Sequence, residues 1–290
     1  MARIKLIVTG DMEKQALPQS LKRFFPSQRN GQNVIWETPH KVDGVTCSRL
    51  DPSKSPSERM KRLVKAMLAE ATIGSQGTPA DLVLVLDDVE LHNLGQESIV
   101  TDHFKKAIEM HLSNLPNNQL KIREIIRNKC SFHLLKPMIE SYLFGDLEAL
   151  SMAGVPASTQ PLLVHATDME QFESNDPQWL PNCYAENEEK KKINQPWWRH
   201  ECHAKQYLIY LRSRHSEFPY QETMHGKKSL TMLNWKKIQK TPTDNPIIHS
   251  LFQDIADWFG VQNPLGEGKI DPIFYPSSDV NPATLLLRNM

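Results

Sequence analysis

Cysteine is scarce in this chain of 290 residues: four in all, Cys47, Cys130, Cys183 and Cys202, with no CxxC pair among them. That scatter excludes a disulfide-stapled framework and fits reduced thiols in a cytoplasmic protein. Long apolar runs are missing too. No stretch approaches the ~20 residues of a membrane-spanning helix. The apolar opening from Met1 to Gly10 is too short for a secretory leader and carries no small-residue cleavage site. The expectation is a cytoplasmic chain with no membrane partner. Net charge is also absent: 34 Lys and Arg balance 34 Asp and Glu, so nucleic acid meets no global basic footprint. The usual nucleotide and acyl-transfer signatures do not occur. Gly226-Lys227-Lys228-Ser229 has Gln221 where a phosphate-binding loop needs its first glycine, and no Ser or Thr directly follows Lys227. There is no GxSxG. His200, Cys202 and His203, and the Cys130/His133 pair, do not form the four-ligand pattern of structural zinc.

What is present reads as globular: 39% hydrophobic and 23% charged residues. Arg3 to Val8 is a short buried strand closed by Thr9-Gly10. Asp11 stands where an N-cap would, and Met12 to Phe25 has helical spacing around Pro18. Val34 to Trp36 is a second strand. Ser57 to Thr72 is an amphipathic helix with Met60, Leu63, Val64, Met67 and Leu68 on one face. Leu82 to Leu86 is a run of five apolar residues, the mark of a strand covered on both faces of a parallel sheet. Helices over Glu97 to Leu112 and within Asn118 to Arg127, a strand over Cys130 to Leu135, and a helical start at Pro137 complete a β-α-β-α-β-α-α-β-α order. The fold class expected is α/β, a largely parallel sheet flanked by helices, with a mainly helical C-terminal extension. The expected organisation is an α/β domain over 1–150, an irregular connection over 151–195, and a mainly helical region over 196–290 packed on the first. Within that last region nine Lys/Arg between Arg199 and Lys240 face three acids, a local surplus of six positive charges. Such a patch suits a phosphate backbone or a solvated surface equally well.

The acids fall at strand ends. The first strand runs into Thr9-Gly10-Asp11-Met12-Glu13 and the later one into Asp87-Asp88-Val89-Glu90. In an open parallel sheet, ligands bind beyond the carboxyl ends of the strands. If the two strands are neighbours, these carboxylates converge, repel, and call for a hard divalent cation such as Mg²⁺ or Mn²⁺. The alternation of a strand predicts that Asp88 and Glu90 face one side while Asp87 faces away. A purely structural account also fits, with Asp11 capping a helix and Asp87-Asp88 ending a strand in a turn.

Taken in order, these segments resemble a family. Thr9-Gly10-Asp11-Met12-Glu13 after an apolar strand resembles the first Toprim motif, and Leu84-Val85-Leu86-Asp87-Asp88-Val89-Glu90 its second. The likeness extends to a Toprim-like domain family of unknown function. Ile139 to Leu150, His203-Ala204-Lys205-Gln206-Tyr207-Leu208 and Tyr220 to Gly226 are similar to its later segments. It spans roughly residues 3 to 260. The resemblance implies metal ligation by Glu13, Asp88, Glu90 and Asp146, with Glu13 or Glu140 as general base. It implies substrate contacts from Gly10, Arg199 and Lys205, and Mg²⁺ or Mn²⁺ as cofactor. The activity implied is metal-dependent phosphodiester hydrolysis of DNA or RNA, in defence against phage or mobile elements. Implied partners are nucleic acid, an ATPase of the ABC or SMC type, and a second copy of the chain. The chain departs from the family at Thr9, where the first-motif glutamate should stand, and at Glu222, where the family often has lysine. These departures carry the alternative: a catalytically degenerate module that binds nucleic acid or regulates its partner.

Overall fold

A computed structural model describes residues 1–266 apart from 76, 196–197, 239 and 242–243. The chain opens with β1 (Ala2–Val8) and α1 (Asp11–Lys22), then a hairpin of β2 (Gln28–Arg29) and β3 (Gln32–Trp36), and β4 (His40–Lys41). The hairpin turns at Asn30-Gly31, both at positive φ, as a tight two-residue turn requires. After a loop come α2 (Glu58–Thr72), β5 (Leu82–Asp88), α3 (Glu97–Ser113), α4 (Gln119–Lys129) and β6 (Cys130–Leu135). Helix α2 starts where Ser57 accepts a hydrogen bond from the Met60 N–H at 3.2 Å. Next are a 3₁₀ segment (Ile139–Gly145), α5 (Leu147–Met152), α6 (Leu180–Lys192) and α7 (Ala204–Ser213). A π-helical turn (Glu222–Gly226), α8 (Lys227–Met232), α9 (Trp235–Ile238) and α10 (Pro246–Phe259) complete the order.

The strand order is β2-β3-β1-β5-β6, with β4 beside the end of β1. Every pairing is parallel except β2 with β3. The α/β architecture with a mostly parallel sheet and a helical C-terminal part is therefore observed. Chain geometry then locates the functional edge. From β1 the chain moves through α1 to β3 on one side, and later through α2 to β5 on the other. Residues of α1 pack with Ile4, Leu6 and Leu84 on one face, whereas those of α2 pack with Ile7, Val83 and Val85 on the opposite face. The carboxyl ends of β1 and β5 thus flank a topological switch point.

Two expectations need correction. Residues 151–195 are not an irregular connection throughout: α6 occupies thirteen of them. Asp11 is not the N-cap of α1; Gly10 is, and Asp11 pairs with Lys41 at 2.7 Å instead. Residues 267–290, the end of the region expected over 196–290, lie outside the described residues. The helical region after residue 200 shares one core with the sheet, in a cluster that extends from Ala2 to Leu265. Its fastening is partly polar. The Ser131 hydroxyl donates to Asp254 on α10, and His133 Nε2 lies 2.8 Å from the same carboxylate, all three fully buried.

Candidate functional site

At the switch point lies a cavity of about 310 Å³, lined by Thr9, Gly10, Met12, Glu13, Gly44, Thr46, Cys47, Asp87, Asp88, Glu90, Met138, Ile139, Glu140, His203, Lys205, Gln206 and Glu222. Each acid is placed by backbone. Glu13 sits in the first turn of α1, and its carboxylate folds back over Gly10; a Cβ at residue 10 would collide with both carboxylate oxygens. The absence of a side chain at residue 10 leaves room for the Glu13 carboxylate, which a larger residue would displace. Asp87 and Asp88 are the last residues of β5. Asp87 accepts from the Val45 N–H and the Thr46 hydroxyl, each at 3.3 Å, and Asp88 from the Ile139 N–H at 3.1 Å. Glu140 enters from the 3₁₀ segment that follows β6. Lys205 and Glu222 come from α7 and the π-helical turn and form an ion pair.

Glu90 departs from the expected strand alternation. Its backbone has φ 60 and ψ 161, a region nearly confined to glycine and costing about 1–3 kcal/mol for other residues. Hydrogen bonds from Val89 N–H to Leu135 O and from Glu90 N–H to Pro137 O, each 2.8 Å, hold it there. The cavity spans the end of the strand, so Asp87, held on the Val45–Thr46 side, lines it together with Asp88, on the Ile139 side, and Glu90. Strain of this kind persists where surrounding structure over-determines it, commonly at ligand sites.

The electrostatics follow from burial and crowding. Burial pushes Glu13 up to about 8, with Glu140, Glu222 and Asp87 adding repulsion against a bond from its own backbone N–H. Burial likewise raises Asp87 and Glu140 to about 7 each. Asp88 is pushed well above the ordinary carboxylate value by burial and then by Glu13, Glu90 and Glu140. Glu90 is raised by burial, with Lys205 opposing. Lys205 is the one lysine or arginine among the described lining residues. Burial works against its charge, but Glu140, Glu222 and Glu90 hold it protonated beyond the ordinary lysine value. His203 is held down to about 3 by burial, with His200 and Lys205 adding to it. It is a neutral imidazole whose buried Nδ1 has no hydrogen-bond partner among the described residues. The Cys47 thiol is raised by burial and by Glu90 and Asp87, and so is no nucleophile at neutral pH.

Of the residues singled out from sequence, Gly10, Glu13, Asp88, Glu90, Glu140 and Lys205 meet in this cavity. Asp146 and Arg199 do not. Asp146 caps α5, accepting from Glu148 N–H at 3.2 Å, Asn234 N–H at 3.0 Å and Lys237 Nζ at 3.0 Å. Its oxygens are committed to joining α5 to α9. Arg199 lines a different cavity with Lys136 and His165 and is shared between Glu173 at 3.5 Å and Glu201 at 3.6 Å. Sequence reading weighed His203 only as a zinc ligand and gave it no role at this site, although it stands two residues before Lys205. It noted Glu222 only as a departure. Thr9 is at the wall and hydrogen-bonds Asp87.

The donor set is almost all carboxylate oxygen, the chemistry of a hard divalent cation. Among the described residues no group of three or more His, Cys, Asp or Glu is arranged to hold a metal ion as it stands. A Mg²⁺-type site needs only one or two carboxylates, with waters completing the shell. Asp88 and Glu90, with Glu13 and Glu140 close by, fit that demand. No family model, curated protein or solved structure matches this chain.

Proposed function

We propose that this protein is a divalent-metal-dependent phosphodiesterase acting on nucleic acid, with a Toprim-like α/β core. One observation carries the reading: five buried or half-buried carboxylates from three stretches of chain converge at the switch-point edge of a parallel sheet, and among the described lining residues one lysine faces them. Unpaired acids packed this way are costly to fold unless a cation or protons neutralise them.

Asp88 and Glu90 would hold the metal, with Glu13 beside them. A bound Mg²⁺ or Mn²⁺ supplies Lewis-acid polarisation of a phosphate ester and acidification of water. The chain's own residues do the rest. Glu140, shifted to about 7, is poised near neutral pH to take a proton, as a general base must be. Lys205 offers the cation that a phosphate oxygen would meet, once separated from Glu222. Apolar Met12, Met138 and Ile139 in the wall restrict water.

A second reading rests on Thr9. A hydroxyl at the end of β1 cannot carry a proton at neutral pH, so a module that binds nucleic acid or answers to an ATPase partner without cutting is the alternative. Calorimetric titration with Mn²⁺ of the wild type beside an Asp88→Ala/Glu90→Ala variant tests the metal. Saturable binding lost in the variant is expected. An unbound wild type would transfer the case to the non-cutting module.

A further inference from the structure

The acidic cavity repels the polyanion it is proposed to act on, so the approach must be supplied elsewhere. Cations on the loop side of the cavity are already engaged. Lys41 is paired with Asp11 at 2.7 Å, Arg62 with Asp43 at 3.5 Å, and Arg59 donates to Gly44 O at 3.4 Å. The opposite side differs. Helices α1 and α8 pack against each other, and beside them lies a groove of about 350 Å³ lined by Lys14, Lys22, Lys227, Gln15, Gln19 and Trp36, among others. The three lysines are exposed and have no carboxylate partner among the described residues. Glu37, the one acid in the groove wall, is buried and taken by Arg3 at 2.7 Å and Lys5 at 3.5 Å.

The groove and the cavity are each lined by residues of the same two stretches of chain. Gly10, Met12 and Glu13 at the start of α1 line the cavity, and Lys14 and Gln15 that follow line the groove. Glu222 begins the π-helical turn at the cavity, and Lys227 follows that turn directly. Lys14 and Lys22 are separated by about 12 Å of helix axis, a span of roughly two nucleotides of an extended strand.

We propose that this groove is the path of a single-stranded nucleic acid leading into the acidic cavity. The inference rests on the phosphodiesterase reading for its destination, not for its existence. Non-specific strand binding combines a cationic groove that follows the phosphates with an aromatic face on which a base stacks. Unpaired lysines supply the first. Trp36 is half-buried, with one side against Phe25, and supplies the second. The glutamine amides add neutral donors and acceptors that suit any base.

The test is fluorescence anisotropy of a labelled oligothymidylate with the full chain, in chelator and again with Mn²⁺. Lys14→Glu/Lys22→Glu/Lys227→Glu should weaken binding by at least ~10-fold and lower the salt slope of log K by about 2, at roughly 0.7 for each lost phosphate contact. Trp36→Leu should weaken it by about 10-fold with the salt slope unchanged. An equal charge change on the far face of the sheet, Lys65→Glu/Lys105→Glu/Lys121→Glu, should have an effect within about twofold; Lys14→Gln/Lys22→Gln/Lys227→Gln is the milder check on folding. Equal weakening by both charge-reversal sets, no binding by the wild type, or displacement of the strand by polyglutamate as readily as by unlabelled strand would overturn the proposal. Mn²⁺ titration of the same proteins separates the two readings. Strand binding without metal binding removes the phosphodiesterase and leaves the groove standing. Metal binding with no groove effect does the reverse.

Discussion

At the foot of α10 the buried Glu170 carboxylate takes hydrogen bonds from Ile247 N–H at 3.0 Å, Ile248 N–H at 2.7 Å and the Tyr142 hydroxyl at 3.2 Å. At the ends of β1 and β5, six carboxylates share one lysine. Both places bury acid, and burial raises Glu170 to about 8 just as it raises Glu13. The shift alone therefore does not mark a functional site. What separates the two regions is the supply of donors. Glu170, Asp254 and Asp146 are each met by N–H groups, hydroxyls or a cation from a neighbouring element, and each joins two parts of the fold. Asp88 and Glu90 have no comparable supply, and they stand beside open volume. Stability accounts for the first set and offers no account of the second.

That contrast can be broken by mutation. Removing a fastening acid should cost most: Asp254→Ala leaves Ser131 and His133 buried without their shared partner and should destabilise by about 3 kcal/mol in urea titration, with Mn²⁺ affinity unchanged. Metal should act with the opposite sign on the other region. Mn²⁺ at a hundred times its dissociation constant should stabilise the wild type by about 2.7 kcal/mol, and the Asp88→Ala/Glu90→Ala variant not at all. Asp146→Ala, which loses a helix cap and a lysine contact, should cost about 2 kcal/mol and leave the Mn²⁺ isotherm intact. The smallest effect is a gain. Asp88→Asn keeps the acceptor for Ile139 N–H and removes a repelled charge, so it should stabilise the metal-free protein at pH 8 by about 1 kcal/mol.

The pH profile follows from the same shifts. Glu13, Asp87 and Glu140 hold protons more tightly folded than unfolded. Their contribution is fully present below the ordinary carboxylate range and is lost as pH rises through about 7 to 8. In chelator, the denaturation midpoint should fall across that window. Saturating Mn²⁺ should flatten the profile, and a profile equally steep with metal would place the cation elsewhere.

Much of this arrangement was legible in the residues. The five apolar residues before Asp87 and the apolar period over Ser57 to Thr72 define elements that the structure reproduces within a residue or two. The convergence of the acids hung on the first strand and the later one being neighbours, and the sheet order supplies that condition. Other features had weaker signals or none. The Asn30-Gly31 turn was there to be read as a hairpin and was passed over. Helix α6 begins at Leu180-Pro181 and buries little beyond Cys183 and Asn187, so no apolar period announces it. Asp87 was misassigned because the cavity wraps the end of β5 and takes in both of its sides, which alternation along one strand does not reveal. Asp146 resembled a site acid by its order along the chain, but order along a chain does not give distance across a cavity.

The contact between β6 and α10 sets a timetable for synthesis. Ser131 and His133 leave the ribosome about 110 residues ahead of Pro246, the start of the helix that brings Asp254. At ~5–20 residues per second that delay is roughly 5–20 s. Until it ends, the β6 end of one face of the sheet lacks the cover of α10, and two polar side chains there lack their partner Asp254. A nascent chain arrested before α10 should be protease-sensitive along β6, and its release should coincide with the emergence of a single helix.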